Sequence, residues 1–157
     1  MTAFDRALEV IEAMNREGVE YVMFGAMALA AHGLVRATED ADFFIAPEGE
    51  NIERLKKALR SIWDDPQIEE ISADDLLGDY PSVAYFPPDE SISIDFLTRL
   101  GEAYSYAMLQ WEEGLLDGIP VRVVTPRTLY EMKRDTVRYK DRIDADALRR
   151  KFGFSEP

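Results

Sequence analysis

Two carboxylates one residue apart, at the head of an apolar run, restrict this chain more than any other feature. The stretch is Asp40-Ala41-Asp42-Phe43-Phe44-Ile45. Along a β-strand, residues i and i+2 share a face. Asp40 and Asp42 therefore project together, Ala41 faces the other way, and Phe43 to Ile45 call for a buried strand. Like charges at the mouth of such a strand repel and lose hydration, which is costly unless something positive compensates. A hard dication suits them, because Mg²⁺ takes oxygen ligands and is usually held by one or two carboxylates plus substrate phosphates. The plainer alternative is turn or capping chemistry, since Asp is favoured at strand ends in any case.

The residues around this pair narrow the choice. Val19–Phe24 reads as an apolar strand and Ala26–His32 as a helix of small and apolar residues, with Gly33 placed to end it. Gly25 lies between them and allows a sharp turn and close approach of a ligand. The exposed N–H groups of a following helix are a natural seat for phosphate. Further on, Ile92, Ile94 and Phe96 alternate with Ser91, Ser93 and Asp95. That is the period of a half-buried strand. Placed beside Asp40–Ile45, it would add a third carboxylate.

The set Phe24-Gly25-Ala26, Asp40-Ala41-Asp42 and Asp95 resembles the signature of the DNA polymerase β-like nucleotidyltransferase superfamily. Within it, GAMALAAHGLVRATEDADFFI is similar to the small prokaryotic nucleotidyltransferases of the AbiEii type, where an arginine and a threonine precede the Asp-x-Asp strand, as Arg36 and Thr38 do here. The tail VVTPRTLYEMKRDTVRYKDRIDADAL is similar to their closing helices, with Lys133 and then a Lys-Asp-x-x-Asp element at Lys140–Asp144. The resemblance implies an α/β (α+β) fold, a mixed twisted sheet flanked by helices with a helical C-terminal end. It implies transfer of a nucleoside monophosphate from an NTP to an acceptor hydroxyl on an RNA end, a protein or a small molecule, with Mg²⁺ or Mn²⁺ as cofactor. It further implies the toxin of a toxin–antitoxin pair, with a cognate antitoxin as partner. In that account Asp40, Asp42 and Asp95 are the catalytic and metal-binding residues, and Gly25, Ala26, Arg36, Thr38 and Lys133 bind the nucleotide. Ala26 departs from the pattern, which usually has Gly or Ser there; a side-chain hydroxyl is lost and backbone donors remain. A non-catalytic nucleotide-binding or partner-binding module that keeps the fold is the competing reading.

Bulk composition agrees. With 157 residues the chain is expected to form one domain over 1–157, large enough for a real core. It has no cysteine, which removes disulfides, thiolate zinc sites and cysteine nucleophiles together. Its only histidine, His32, has no HExxH context or triad partner and reads as a packed or surface side chain. The first residues carry Asp5, Glu9 and Glu12, unlike a secretory leader, and no stretch is long and apolar enough to span a bilayer. A cytoplasmic protein with no membrane partner is expected. The net charge of −13 argues against non-specific nucleic-acid binding by the whole surface. Residues 127–151, however, hold nine basic against five acidic side chains, while the remainder holds nine against twenty-six. Such a basic end could receive phosphates.

In chain order, Phe4–Arg16 is expected as a helix. Glu50–Trp63 is expected as an amphipathic helix with Arg54, Lys56, Lys57 and Arg60 outward. Gln67–Tyr80 is ambiguous, with an edge strand around Ile68 and Ile71 and a short helix over Ala73–Leu77 as candidates. Ser82–Phe86 and Ser91–Leu97 read as an antiparallel hairpin, Ala103–Leu109 as a short helix, and Asp117-Gly118 as a tight hairpin turn before Ile119–Val124. Thr125-Pro126 starts a helix with Leu129, Met132, Val137 and Tyr130 as candidates for its buried stripe, and Arg142–Lys151 forms the last helix. Lys133, Arg134 and Lys140 read as exposed charges or phosphate contacts. Arg36 either holds a phosphate or pairs with Asp40, and Asp141 and Asp144 read as helix-stabilising partners of Arg138 or Lys140.

Overall fold

Thr2 opens the first helix with a capping box: its hydroxyl accepts from the Asp5 N–H while the Asp5 carboxylate accepts from the Thr2 N–H. The computed structural model describes residues 1–34 and 36–155. Its elements are α1 (Ala3–Arg16), β1 (Tyr21–Phe24), α2 (Gly25–Ala31), β2 (Asp40–Ile45), α3 (Gly49–Arg60), α4 (Ala73–Leu77), β3 (Ser82–Tyr85), β4 (Ser93–Leu97), β5 (Arg99–Leu100), β6 (Tyr104–Ser105), β7 (Trp111–Leu116), β8 (Ile119–Val124), α5 (Pro126–Arg134) and α6 (Tyr139–Phe152). Short 3₁₀ turns occupy Pro66–Glu70 and Tyr106–Met108.

Six strands form a mixed sheet in the order β3-β4-β2-β1-β8-β7. β2 runs antiparallel to β1 and parallel to β4, so it is flanked on both sides. That position explains its apolar run: Phe43, Phe44 and Ile45 are all fully buried. Phe43 stacks on Phe96 of β4 at 5.9 Å between ring centroids and meets the edge of Tyr21 of β1 at 5.8 Å. The α1 and α3 helices pack together, and α5 packs against α6. At the start of α3, the buried Asn51 side chain accepts from the Glu20 N–H at 2.7 Å and donates to the carbonyls of Glu20 and Ala46. One amide thus ties the beginning of β1, the end of β2 and α3.

The β3–β4 hairpin is antiparallel, as its turn residues imply. Asp117 and Gly118 both take positive φ, 51° and 80°, as a two-residue turn with matched twist requires. Three expectations need correction. Ala103–Leu109 is not a helix but the short strand β6 followed by a 3₁₀ turn. Lys56 does not face outward: it is 8% exposed, its stem lying under the Pro66–Glu70 turn and its ammonium near Glu53 and Glu69. Val137 is 90% exposed, because α5 stops at Arg134 and the residue falls in the link to α6.

Candidate functional site

The parallel pairing of β2 and β4 sets Asp42 directly opposite Asp95. Across the other flank Asp42 faces Phe24, the last residue of β1. The chain then turns at Gly25, whose φ is +74°. A Cβ added at that glycine would lie 2.9 Å from the carboxyl carbon of Asp42. Position 25 therefore has two reasons to be glycine: a left-handed backbone and the carboxylate resting against it. Three separate segments converge here because β2 is central and its neighbours come from either side.

Burial pushes the Asp42 carboxyl up to about 7. The nearby Asp95 carboxylate, which also shares a hydrogen bond with it, adds to the rise, and the charge of Asp40 adds less, while Lys133 opposes it. Asp40, two residues earlier on the same face, is exposed at the strand mouth. Among the described residues no three acidic or histidine side chains are gathered tightly enough to form a ready-made ion cage. The donor set instead fits the habit of Mg²⁺ or Mn²⁺: hard carboxylate oxygens, two of them adjacent and short of hydration, with remaining positions left to phosphate oxygens and water.

These carboxylates line a cleft of about 780 Å³ bounded on its far side by α5 and the start of α6. Lys133 and Arg36 both reach it. Lys133 is buried, and its ammonium donates to Asp144 at 2.9 Å and Asp141 at 3.1 Å. Arg36 donates to Asp144 as well. Thr136 donates its hydroxyl to Asp141 at 2.9 Å. Burial alone would raise the Asp141 carboxyl; the Lys133 and Thr136 hydrogen bonds outweigh it and leave it below its usual range. Arg138 lies 3.8 Å from Asp141, as expected, but the other partners differ: Arg36 pairs with Asp144 and not with Asp40, and Asp141 and Asp144 both hold Lys133. The signal was present as a Lys-Asp-x-x-Asp spacing, which sets the two acids on one helical face; its partner eight to eleven residues upstream was not readable. Thr38 caps the mouth of β2, its hydroxyl accepting from the Asp40 N–H at 3.1 Å. Ala26 lines the cleft beside Gly25, in a helix of seven residues.

Residues 9–156 match the model of the family described as nucleotidyl transferase AbiEii toxin, type IV TA system. The chain belongs to this AbiEii family. It is accordingly a nucleotidyltransferase, an enzyme that transfers a nucleoside monophosphate. No curated protein matches the AbiEii-family chain in sequence. Solved structures similar to it include ANT(2'')-Ia in complex with adenylyl-2''-tobramycin, at 14% identity and TM-score 0.60, covering 96% of this chain and 89% of that one. A solution structure of the antibiotic-resistance factor ANT(2'')-Ia matches at 17% identity and TM-score 0.61, covering 98% and 86%. A protein from Thermotoga maritima described as a nucleotidyltransferase by inference matches at 14% identity and TM-score 0.55, covering 98% and 96%. At such identities the likeness is one of fold, and the fold is that of nucleotidyltransferases. No helix among the described residues is long and apolar enough to cross a membrane.

Proposed function

We propose that this AbiEii-family enzyme binds an NTP in the 780 Å³ cleft and transfers its nucleoside monophosphate to an acceptor hydroxyl, with Mg²⁺ or Mn²⁺ held by Asp42 and Asp95 and completed from Asp40. The observation that carries the reading is the register of Asp42 with Asp95, against Gly25 and facing Lys133 across one cleft. A dication held there supplies charge neutralisation for the triphosphate and polarises its phosphoryl oxygens.

The chain's own residues then have distinct duties. Gly25 and Ala26 let the triphosphate approach the backbone closely. Thr38 and Arg36 border the β2 mouth, where the guanidinium is suited to a phosphate. Lys133, kept in place by Asp141 and Asp144, faces charge developing on the leaving group. Asp95 accepts the proton of the attacking hydroxyl. The oxygen–phosphorus bond to the acceptor forms as the bond to pyrophosphate breaks, and pyrophosphate leaves with the electron pair.

Family membership supports a toxin whose activity a cognate antitoxin opposes, acting in the cytoplasm. Incubation with Mg²⁺ and each labelled NTP, with total RNA, a protein extract or a small-molecule acceptor, tests the chemistry. Labelled product that disappears with Asp95→Asn while NTP binding persists supports it; equal transfer by wild type and variant refutes it.

A further inference from the structure

His32, the only histidine of the chain, takes no part in the chemistry above, yet it is held closely. Its side chain is 6% exposed. Its Nε2 lies 2.7 Å from the carbonyl oxygen of Val124 on β8. A carbonyl only accepts, so Nε2 carries the proton and donates. Nδ1 faces Glu112 of β7 at 3.7 Å, and the Phe152 ring of α6 meets the imidazole edge-on at 6.1 Å. Three elements therefore close around one ring.

What those elements carry gives the contact its consequence. His32 is the C-cap of α2, a helix of seven residues that spans about 10 Å. A helix so short is not stable by itself and takes its place from what it packs against. No side chain caps its first turn, because Phe24 stands at the N-cap. Its other end is Gly25 and Ala26, which line the nucleotide cleft. Val124 ends β8 and immediately precedes Thr125, whose hydroxyl caps α5. That helix brings Lys133 to the far wall of the same cleft. We infer that His32 is a positioning residue: its bond to Val124 sets α2 against the start of α5, and so fixes the gap between the Gly25–Ala26 bend and Lys133 that the triphosphate spans. The inference rests on the nucleotide site proposed above. His32 touches no phosphate; it acts through the helix it ends.

The test compares three substitutions. The side-chain amide nitrogen of His32→Gln reaches the place of Nε2, that of His32→Asn falls short of Val124, and His32→Leu fills space without a donor. Urea melts establish that each is folded, and where one of the two variants that break the bond does not fold, the other carries the comparison. Each of the four NTPs with Mg²⁺ is titrated into the full chain by calorimetry, and the tightest is carried forward with its own monophosphate. His32→Asn and His32→Leu are expected to bind that NTP about tenfold more weakly, the equivalent of one well-placed hydrogen bond to phosphate. His32→Gln is expected to restore affinity to within about threefold of wild type. The monophosphate does not span the gap and is expected to lose less than about twofold in all three. A general loosening of the fold would weaken NTP and monophosphate alike. That result, or undiminished NTP binding by His32→Asn and His32→Leu, or no rescue by His32→Gln, would overturn the inference while the nucleotide site stands. No NTP binding by the wild type would overturn the nucleotide site and the inference with it.

Discussion

At the scale of single residues, the site is built on a glycine and a carboxylate that occupy each other's space. Gly25→Ala adds a methyl where the Asp42 carboxyl already sits, in a backbone conformation that L-residues rarely adopt. It is expected to destabilise by about 1–3 kcal/mol and abolish transfer, measured by urea melts and NTP turnover. Asp42 itself is a stability cost in the free protein, being buried beside Asp95. Asp42→Asn is therefore expected to raise the metal-free melting temperature at pH 8 while eliminating transfer; a lower melting temperature would contradict the packing described. Asp89 behaves in the opposite way. Hydrogen bonds from the Ser91 hydroxyl and Trp63 indole lower its carboxyl to about 2 from 3.8, with the Arg6 charge assisting. A carboxyl depressed on folding stabilises above its unfolded pKa and loses that contribution as pH falls through the folded one. Wild type should exceed Asp89→Asn in stability at pH 7, the gap narrowing below about 4 and closing near 2, read from melts across pH.

At the scale of elements, the C-terminal helices act as a clip over the cleft. Asp144, 4% exposed, bridges α6 to Lys133 of α5 and to Arg36 in the link before β2. Removing it leaves Arg36 without its carboxylate and Lys133 with Asp141 alone, in a poorly hydrated place. Asp144→Ala is expected to cost about 3–5 kcal/mol in urea unfolding. Asp146, two residues on and paired at the surface with Arg149 and Arg150, should cost under about 1 kcal/mol when changed to Ala. Similar costs for both would show that the buried network contributes no more than a surface pair. The strand–glycine–helix–strand unit and the Thr125-Pro126 helix start were legible because their determinants are local: alternation, a cap and a turn residue. The stretch 103–109 was not, because Tyr104 and Tyr106 pack partly against the core and no helical period decides their conformation.

At the scale of the whole molecule, charge is divided between two clefts that meet at one strand mouth. The basic C-terminal end borders the cleft that holds Asp42 and Asp95, and a second cleft, which shares Arg36–Asp40 with it, is lined by Glu39, Glu90 and Asp117. A ligand that binds only the folded state raises its stability by about 2.7 kcal/mol at a hundredfold excess over Kd. For a chain of this size, Mg-ATP is accordingly expected to raise the melting temperature by roughly 5–10 °C in calorimetry. No such shift is expected in Asp42→Ala.

The amino-acid sequence by itself determined most of the elements and the acidic pair, because a strand's two-residue period and a glycine before a helix act over a few neighbouring residues. It also carried the family resemblance, through Gly25, Asp40, Asp42 and Asp95. Only the tertiary structure decided that β4 lies parallel to β2 in the register that sets Asp95 against Asp42. It alone decided that Asp141 and Asp144 hold Lys133 of the preceding helix. Both depend on contacts between segments far apart in the chain, chosen by how the sheet and helices pack around a shared core and not by any local rule.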